Sequence, residues 1–143
     1  MKNLMKRLKD QRGLTLIELL AVVVILGIIS AIAVPSIGNI IENSKYGAIK
    51  SDGIQVINAA KMYEANNGVL PSGTNIATEI NNYLEGSSTI TTITKFEKKD
   101  DGSITFTGAG SKDGLTVTFT AATIDGINKA PSKYTKGGVT INE

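Results

Sequence analysis

Glu18 is the only charged residue in Leu14 to Val34, a run of 21 residues in which Thr15 and Ser30 carry the only other polar side-chain groups. A carboxylate at the centre of a bilayer costs about 2.5–3.5 kcal/mol on insertion scales, so a glutamate in such a run demands a partner. The bland alternative is that Glu18 sits at the membrane interface as a detail of topology. Elsewhere the chain holds little that could do covalent chemistry. It contains no histidine and no cysteine, which removes the usual neutral-pH proton shuttle, the nucleophilic thiol, the commonest metal ligands and any disulfide. A histidine-based triad is impossible, no phosphate-cradling glycine loop appears, and no convergent carboxylate pair is legible in residues 72–143. Neither an enzyme nor a cofactor is expected. Asp100, Asp101, Asp113 and Asp125 could suggest calcium, but their spacing builds no EF-hand and each lies beside or near a turn glycine, so turn chemistry explains them and no metal is expected. Lys129, Lys133, Tyr134 and Lys136 form a small basic, aromatic patch that could touch DNA or an anionic surface. Three lysines neutralise few phosphates, and a solvated loop is the plainer reading.

These residues have to be positioned by a chain of 143 residues, which has room for one modest domain plus an extended element. Its formal charge is +2. Residues 1–13 hold Lys2, Lys6, Arg7, Lys9 and Arg12 against Asp10 alone, leaving 10 basic and 12 acidic residues from Leu14 onward. Without that leader the chain is not basic, and its charge gives no support for nucleic-acid binding. As a helix, Leu14–Val34 would reach about 31 Å, close to the hydrocarbon thickness of a bilayer. The basic leader places the amino end in the cytoplasm and the remainder outside.

From Ser36 to Asn67 the composition is mixed. Ile37, Ile40, Ile41, Ile49, Val56, Ala60 and Tyr63 recur near helical spacing among charged residues, which predicts a continued, amphipathic helix whose apolar stripe covers a core. Asn67-Gly68 followed by Pro71 is a stop signal, while Gly47 and Gly53 weaken the helix locally. A short helix is expected over Ile76–Leu84. Beyond it the period switches to two, and strands are expected at Thr89–Lys98, Ser103–Thr107, Leu115–Thr120 and Val139–Ile141. Asp101-Gly102, Asp113-Gly114 and Asp125-Gly126 suit tight hairpin turns between them. The alternation of Ile104, Phe106, Leu115, Val117 and Phe119 with threonine or serine puts one face of an antiparallel meander on the helix and the threonine face toward solvent or neighbouring subunits. The expected fold class is therefore α+β: a long N-terminal helix, hydrophobic in its first half and amphipathic in its second, packed against a small antiparallel sheet.

The segment Arg12-Gly13-Leu14-Thr15-Leu16-Ile17-Glu18-Leu19-Leu20, between a basic leader and a long apolar run, resembles the processing site of type IV prepilins and related pseudopilins. It combines a glycine before the apolar run, a hydroxyl residue two places on and a single glutamate five places on. Pro35 falls where that family commonly has a proline, and YEANNGVLP at Tyr63–Pro71 resembles the end of the pilin helix. The match is strong over residues 6–35, and after Pro71 only the architecture carries the likeness. The absence of the disulfide common in the family points toward cysteine-free Gram-positive members.

The resemblance implies that a membrane-embedded aspartic peptidase cuts after Gly13 and methylates the new amino terminus at Leu14. Leucine departs from the family's usual phenylalanine but keeps a large apolar residue there. The new amine is then the nearest cation to Glu18, four residues away or donated by a staggered neighbour. Such a pair in a low-dielectric bundle sets register more than it adds stability. Thr15 and Glu18 are the implied assembly residues. Gly27 and Pro35, with Ser30 and Gly38, are either close-packing positions or a weak stretch that lengthens under load. The implied organisation is a cleaved leader at 1–13, a transmembrane and polymerisation helix at 14–35, an amphipathic helix at 36–67, and a loop, short helix and meander at 68–143. The implied partners are copies of the chain itself, the prepilin peptidase and methylase, a pilus assembly platform and membrane lipid. The implied location is a single pass of the inner or cytoplasmic membrane, then a cell-surface pilus. A pseudopilin of a competence or type II secretion system is the nearest alternative. A conventionally secreted protein cut at Ala31-Ile32-Ala33 is a third, opposed by Glu18 and by a proline two residues past that cut.

Overall fold

The computed structural model describes residues 2–72, 76–84, 86 and 88–143, with side chains from Thr15 onward. At the expected processing pair, Gly13 and Leu14, only the helical backbone is described, and the Leu14 side chain lies outside what is described. The chain divides into two compact units, residues 1–40 and 41–143. Helix α1 (Lys2–Asn67) supplies the described part of the first and opens the second. It ends as the sequence anticipates. Gly68 takes a positive φ of 77° and donates its amide to the Glu64 carbonyl at 2.7 Å, and the Asn67 side chain donates to the Tyr63 carbonyl at 2.9 Å. A left-handed residue at this position closes the open carbonyls of the last turn.

The second unit continues with α2 (Ile76–Asn81), β1 (Ile90–Lys98), β2 (Ile104–Lys112), β3 (Leu115–Ala122), α3 (Ile124–Lys129) and β4 (Val139–Ile141). The sheet order is β1-β2-β3-β4. The expected α+β class stands, with two differences in its sheet. β1, β2 and β3 form an antiparallel meander, but β4 pairs with β3 in parallel, Val117 opposite Val139 and Phe119 opposite Ile141. A hairpin reverses the chain, whereas residues 123–138 carry it back through α3 to run in the same direction, the kind of crossover that parallel pairing requires. Correspondingly, Asp125-Gly126 is not a hairpin turn but lies inside α3. Thr123 caps that helix, its hydroxyl accepting from the Gly126 amide at 3.0 Å, and an N-cap outweighs the turn propensity of an Asp-Gly pair.

The other two Asp-Gly pairs do make turns. Asp113 and Gly114, at φ 48° and 83°, close a two-residue connection between the paired Lys112 and Leu115; positive φ at both positions is the hairpin geometry that Asp-Gly tolerates. At the β1–β2 connection, Gly102 takes φ 83° and Ser103 donates from its amide and hydroxyl to Asp101 Oδ1 at 2.8 and 2.6 Å. These bonds hold the Asp101 carboxyl below the usual carboxylate range.

Tyr46, Ile49, Val56, Ile57 and Ala60 of α1 are buried with Phe96, Ile104, Phe106, Val117 and Phe119 of the sheet. Phe106 stacks on Phe96 at a centroid distance of 5.7 Å and meets Phe119 in a tilted contact at 5.1 Å. The apolar stripe of α1 thus covers a core, but only from Tyr46 onward: Ile37, Ile40 and Ile41 are exposed by 53%, 63% and 48%. Period alone cannot say where along an amphipathic helix its covering partner begins. Strand β2 also departs from the alternating expectation. It is longer than Ser103–Thr107, and Thr105 is buried with Ile104 and Phe106, its hydroxyl donating to the Glu97 carbonyl at 3.3 Å.

Gly53, which weakens α1 by propensity, has a packing reason. A Cβ there would stand 2.8 Å from Cε1 and Cζ of the buried Phe119 ring. Gly53→Ala should gain about 1 kcal/mol of helix propensity and lose about 1–3 kcal/mol to overpacking. The expected outcome is net destabilisation of roughly 1 kcal/mol by urea unfolding of residues 41–143. Unchanged or higher stability would show that the ring can yield.

Candidate processing and assembly site

The residues singled out for processing and assembly all fall on α1. Thr15 and Glu18 are exposed and three positions apart, close enough to share a helix face. Among the described residues none covers the apolar run. The large hydrophobic side chains from Leu16 to Val34 are exposed by 51–73%. Among the described residues, α1 from Thr15 is the one helix long and apolar enough to cross a membrane. So much uncovered aliphatic surface is stable only against lipid or other apolar helices. Gly27 and Gly38 leave their surroundings open, with nothing within 4 Å of a Cβ built on either. Pro35 lies inside α1 without ending it. Its ring removes one donor from the helix at that point.

Of the acidic candidates of the second unit, Asp101 and Asp125 border one cleft together with Glu143, but Asp101, Asp113 and Asp125 each have a separate partner. Asp101 serves its turn, Asp113 pairs with Lys45 at 3.4 Å, and Asp125 pairs with Lys129 one helical turn away. Among the described residues no three histidine, cysteine, aspartate or glutamate side chains gather as metal ligands would. The basic, aromatic patch is divided as well. Lys129 is engaged by Asp125, whereas the Tyr134 ring packs at 6.0 Å from Tyr46.

Residues that sequence reasoning passed over hold the loops of this unit to α1. Asn43 Oδ1 accepts from the Tyr134 amide at 2.9 Å. Asp52 Oδ2 accepts from the Thr89 amide at 2.6 Å. Lys50 Nζ donates to the Ala130 carbonyl at 2.9 Å, and its burial pushes the amine's pKa down. Each bond joins positions 37 to 91 residues apart. The sequence offers no signal for them beyond polar residues beside an apolar stripe.

Residues 8–34 match the prokaryotic N-terminal methylation motif. The chain is also similar to the type II secretion system core protein G of Vibrio cholerae, 37% identical over 68 residues that make up 48% of this chain and 47% of that protein. It is 39% identical over 64 residues to the protein of the same name from Pseudomonas aeruginosa, covering 45% of each. The chain thus spans about half the length of these relatives. No solved structure matches it significantly. The likeness to type IV prepilins and pseudopilins expected from Gly13 to Glu18 is borne out in the amino-terminal region.

Proposed function

From a chain whose amino-terminal region carries the methylation motif, we propose a filament subunit of the type IV pilin class. It is inserted in the membrane through residues 14–35, cut between Gly13 and Leu14, N-methylated at Leu14, and polymerised through its amino-terminal helix. One observation carries this reading: the motif at residues 8–34 lies on a helix whose aliphatic side chains are uncovered from Leu16 to Val34. That surface needs lipid before assembly and neighbouring copies of the same helix after it. Thr15 and Glu18 act in assembly, Glu18 meeting the Leu14 amine of a neighbour. Residues 36–67 and 68–143 form the exported head. The partners are further copies of the chain, a prepilin peptidase and methylase, and an assembly platform.

Within that class we propose a type IV pilus on the cell surface. The two similar proteins are type II secretion system core proteins by name, and this favours a secretion pseudopilus as the second reading. Electron microscopy of cells, with mass spectrometry of sheared filaments, tests the choice. Long surface filaments built from this chain are expected. Their absence, together with loss of exported proteins from the medium when the chain is deleted, would select the pseudopilus.

A further inference from the structure

The loops at one end of the second unit gather lysines beside the residues that follow the apolar run. The Asp113-Gly114 turn reaches α1 through the Lys45–Asp113 pair, and the loop after α3 reaches it through Asn43 and Tyr46. Between them lies a cleft of about 280 Å³ lined by Glu42, Lys45, Asp113, Leu115, Tyr134 and Lys136. Lys112 adjoins the turn and Lys133 adjoins Tyr134. Lys112, Lys133 and Lys136 are exposed, and no described acidic side chain pairs with them. This end holds Lys45, Lys112, Lys133 and Lys136 against Glu42 and Asp113, a balance of +2. The rest of residues 41–143 has six basic and nine acidic residues, a balance of −3.

Chain connectivity decides what this end meets. Asn43 lies eight positions after Pro35, about 12 Å of helix and never more than about 30 Å of extended chain. Resting on the membrane insertion proposed above, we infer that Lys112, Lys133 and Lys136 form a collar for the anionic headgroups of the leaflet from which the helix emerges, holding the unassembled subunit's head against the bilayer. Phosphodiester headgroups supply the charge that three unpaired ammonium groups lack, and lysines next to a membrane span are drawn to such surfaces. A long nucleic acid is the poorer occupant, because three lysines displace few counterions and the rest of the head is net acidic.

The test is hydrogen exchange on the full chain in nanodiscs of phosphatidylcholine alone or mixed with phosphatidylglycerol. Amides of residues 132–138 and of the Asp113 turn should exchange roughly ten- to thirty-fold more slowly with phosphatidylglycerol present, the scale set by two net charges at an anionic surface. Amides of the Asp101 turn should not change. High salt, or Lys112→Gln with Lys133→Gln and Lys136→Gln, should abolish the difference. No lipid dependence, with α1 still protected from exchange by both bilayers, overturns the collar and leaves insertion standing. Failure of either bilayer to protect α1 overturns the insertion it rests on. Equal protection in phosphatidylcholine by inorganic phosphate or by a short DNA duplex also overturns it, in favour of a soluble anion or a nucleic acid.

Discussion

Glu18→Leu should yield a subunit that is made, inserted and cut, and that builds no filaments. By transfer energetics the change favours insertion, because it removes an ionisable group from an otherwise apolar segment. A helix that merely anchored the head would tolerate it. If the Glu18 carboxylate meets the Leu14 amine of a neighbour, its loss leaves an ammonium without a partner in a low-dielectric bundle. Breaking one side of such a pair costs about 3–5 kcal/mol, on the order of a hundred-fold or more in an association constant. Filament counts by electron microscopy, normalised to the membrane level of the mature subunit, should fall to background, with N-methylation reduced. Normal filament numbers would reject the role assigned to Glu18.

Phe106→Ala should be the most damaging single truncation in the head. Its ring is fully buried and packs against two others, Phe96 and Phe119, within a strand paired on both sides. Removing it costs the transfer energy of the ring and leaves a cavity that the flanking strands cannot close, about 3–5 kcal/mol. A small domain has roughly 5–15 kcal/mol in total. Urea unfolding of residues 41–143 should show a loss of about 3–5 kcal/mol, and the full-length variant should be degraded before assembly. A loss under about 1 kcal/mol would mean that the three-ring cluster is not the centre of the core.

How much of this was legible in the residues differs from element to element. The end of α1 was readable because its signals are local, with Asn67 and Gly68 closing the helix within one turn. The Asp113-Gly114 hairpin was readable for the same reason. The parallel pairing of β4 was not, since it depends on residues 123–138 crossing over rather than turning back, and no residue within Val139–Ile141 encodes direction. Asp125-Gly126 misled because the same dipeptide serves a turn or the first turn of a helix, and the Thr123 cap decides between them. Gly53 is a poor helix residue by propensity alone, and its reason, the Phe119 ring packed against it, lies 66 positions along the chain. At the candidate site the balance is reversed. Glu18 stood out by its cost in an apolar run, and Gly13 and Leu14 by resemblance alone. The tethers at Asn43, Lys50 and Asp52 were invisible because their partners lie far along the chain.

The central claim is a subunit processed at Gly13 that keeps its apolar helix for assembly, and the mass of the mature chain tests it most directly. Intact-mass analysis of the protein from membranes or sheared filaments should show residues 1–13 removed, Leu14 at the new amino terminus, and one added methyl group. A mature chain beginning at Val34 would mean that the apolar run is a discarded signal peptide, and would contradict the pilin reading outright.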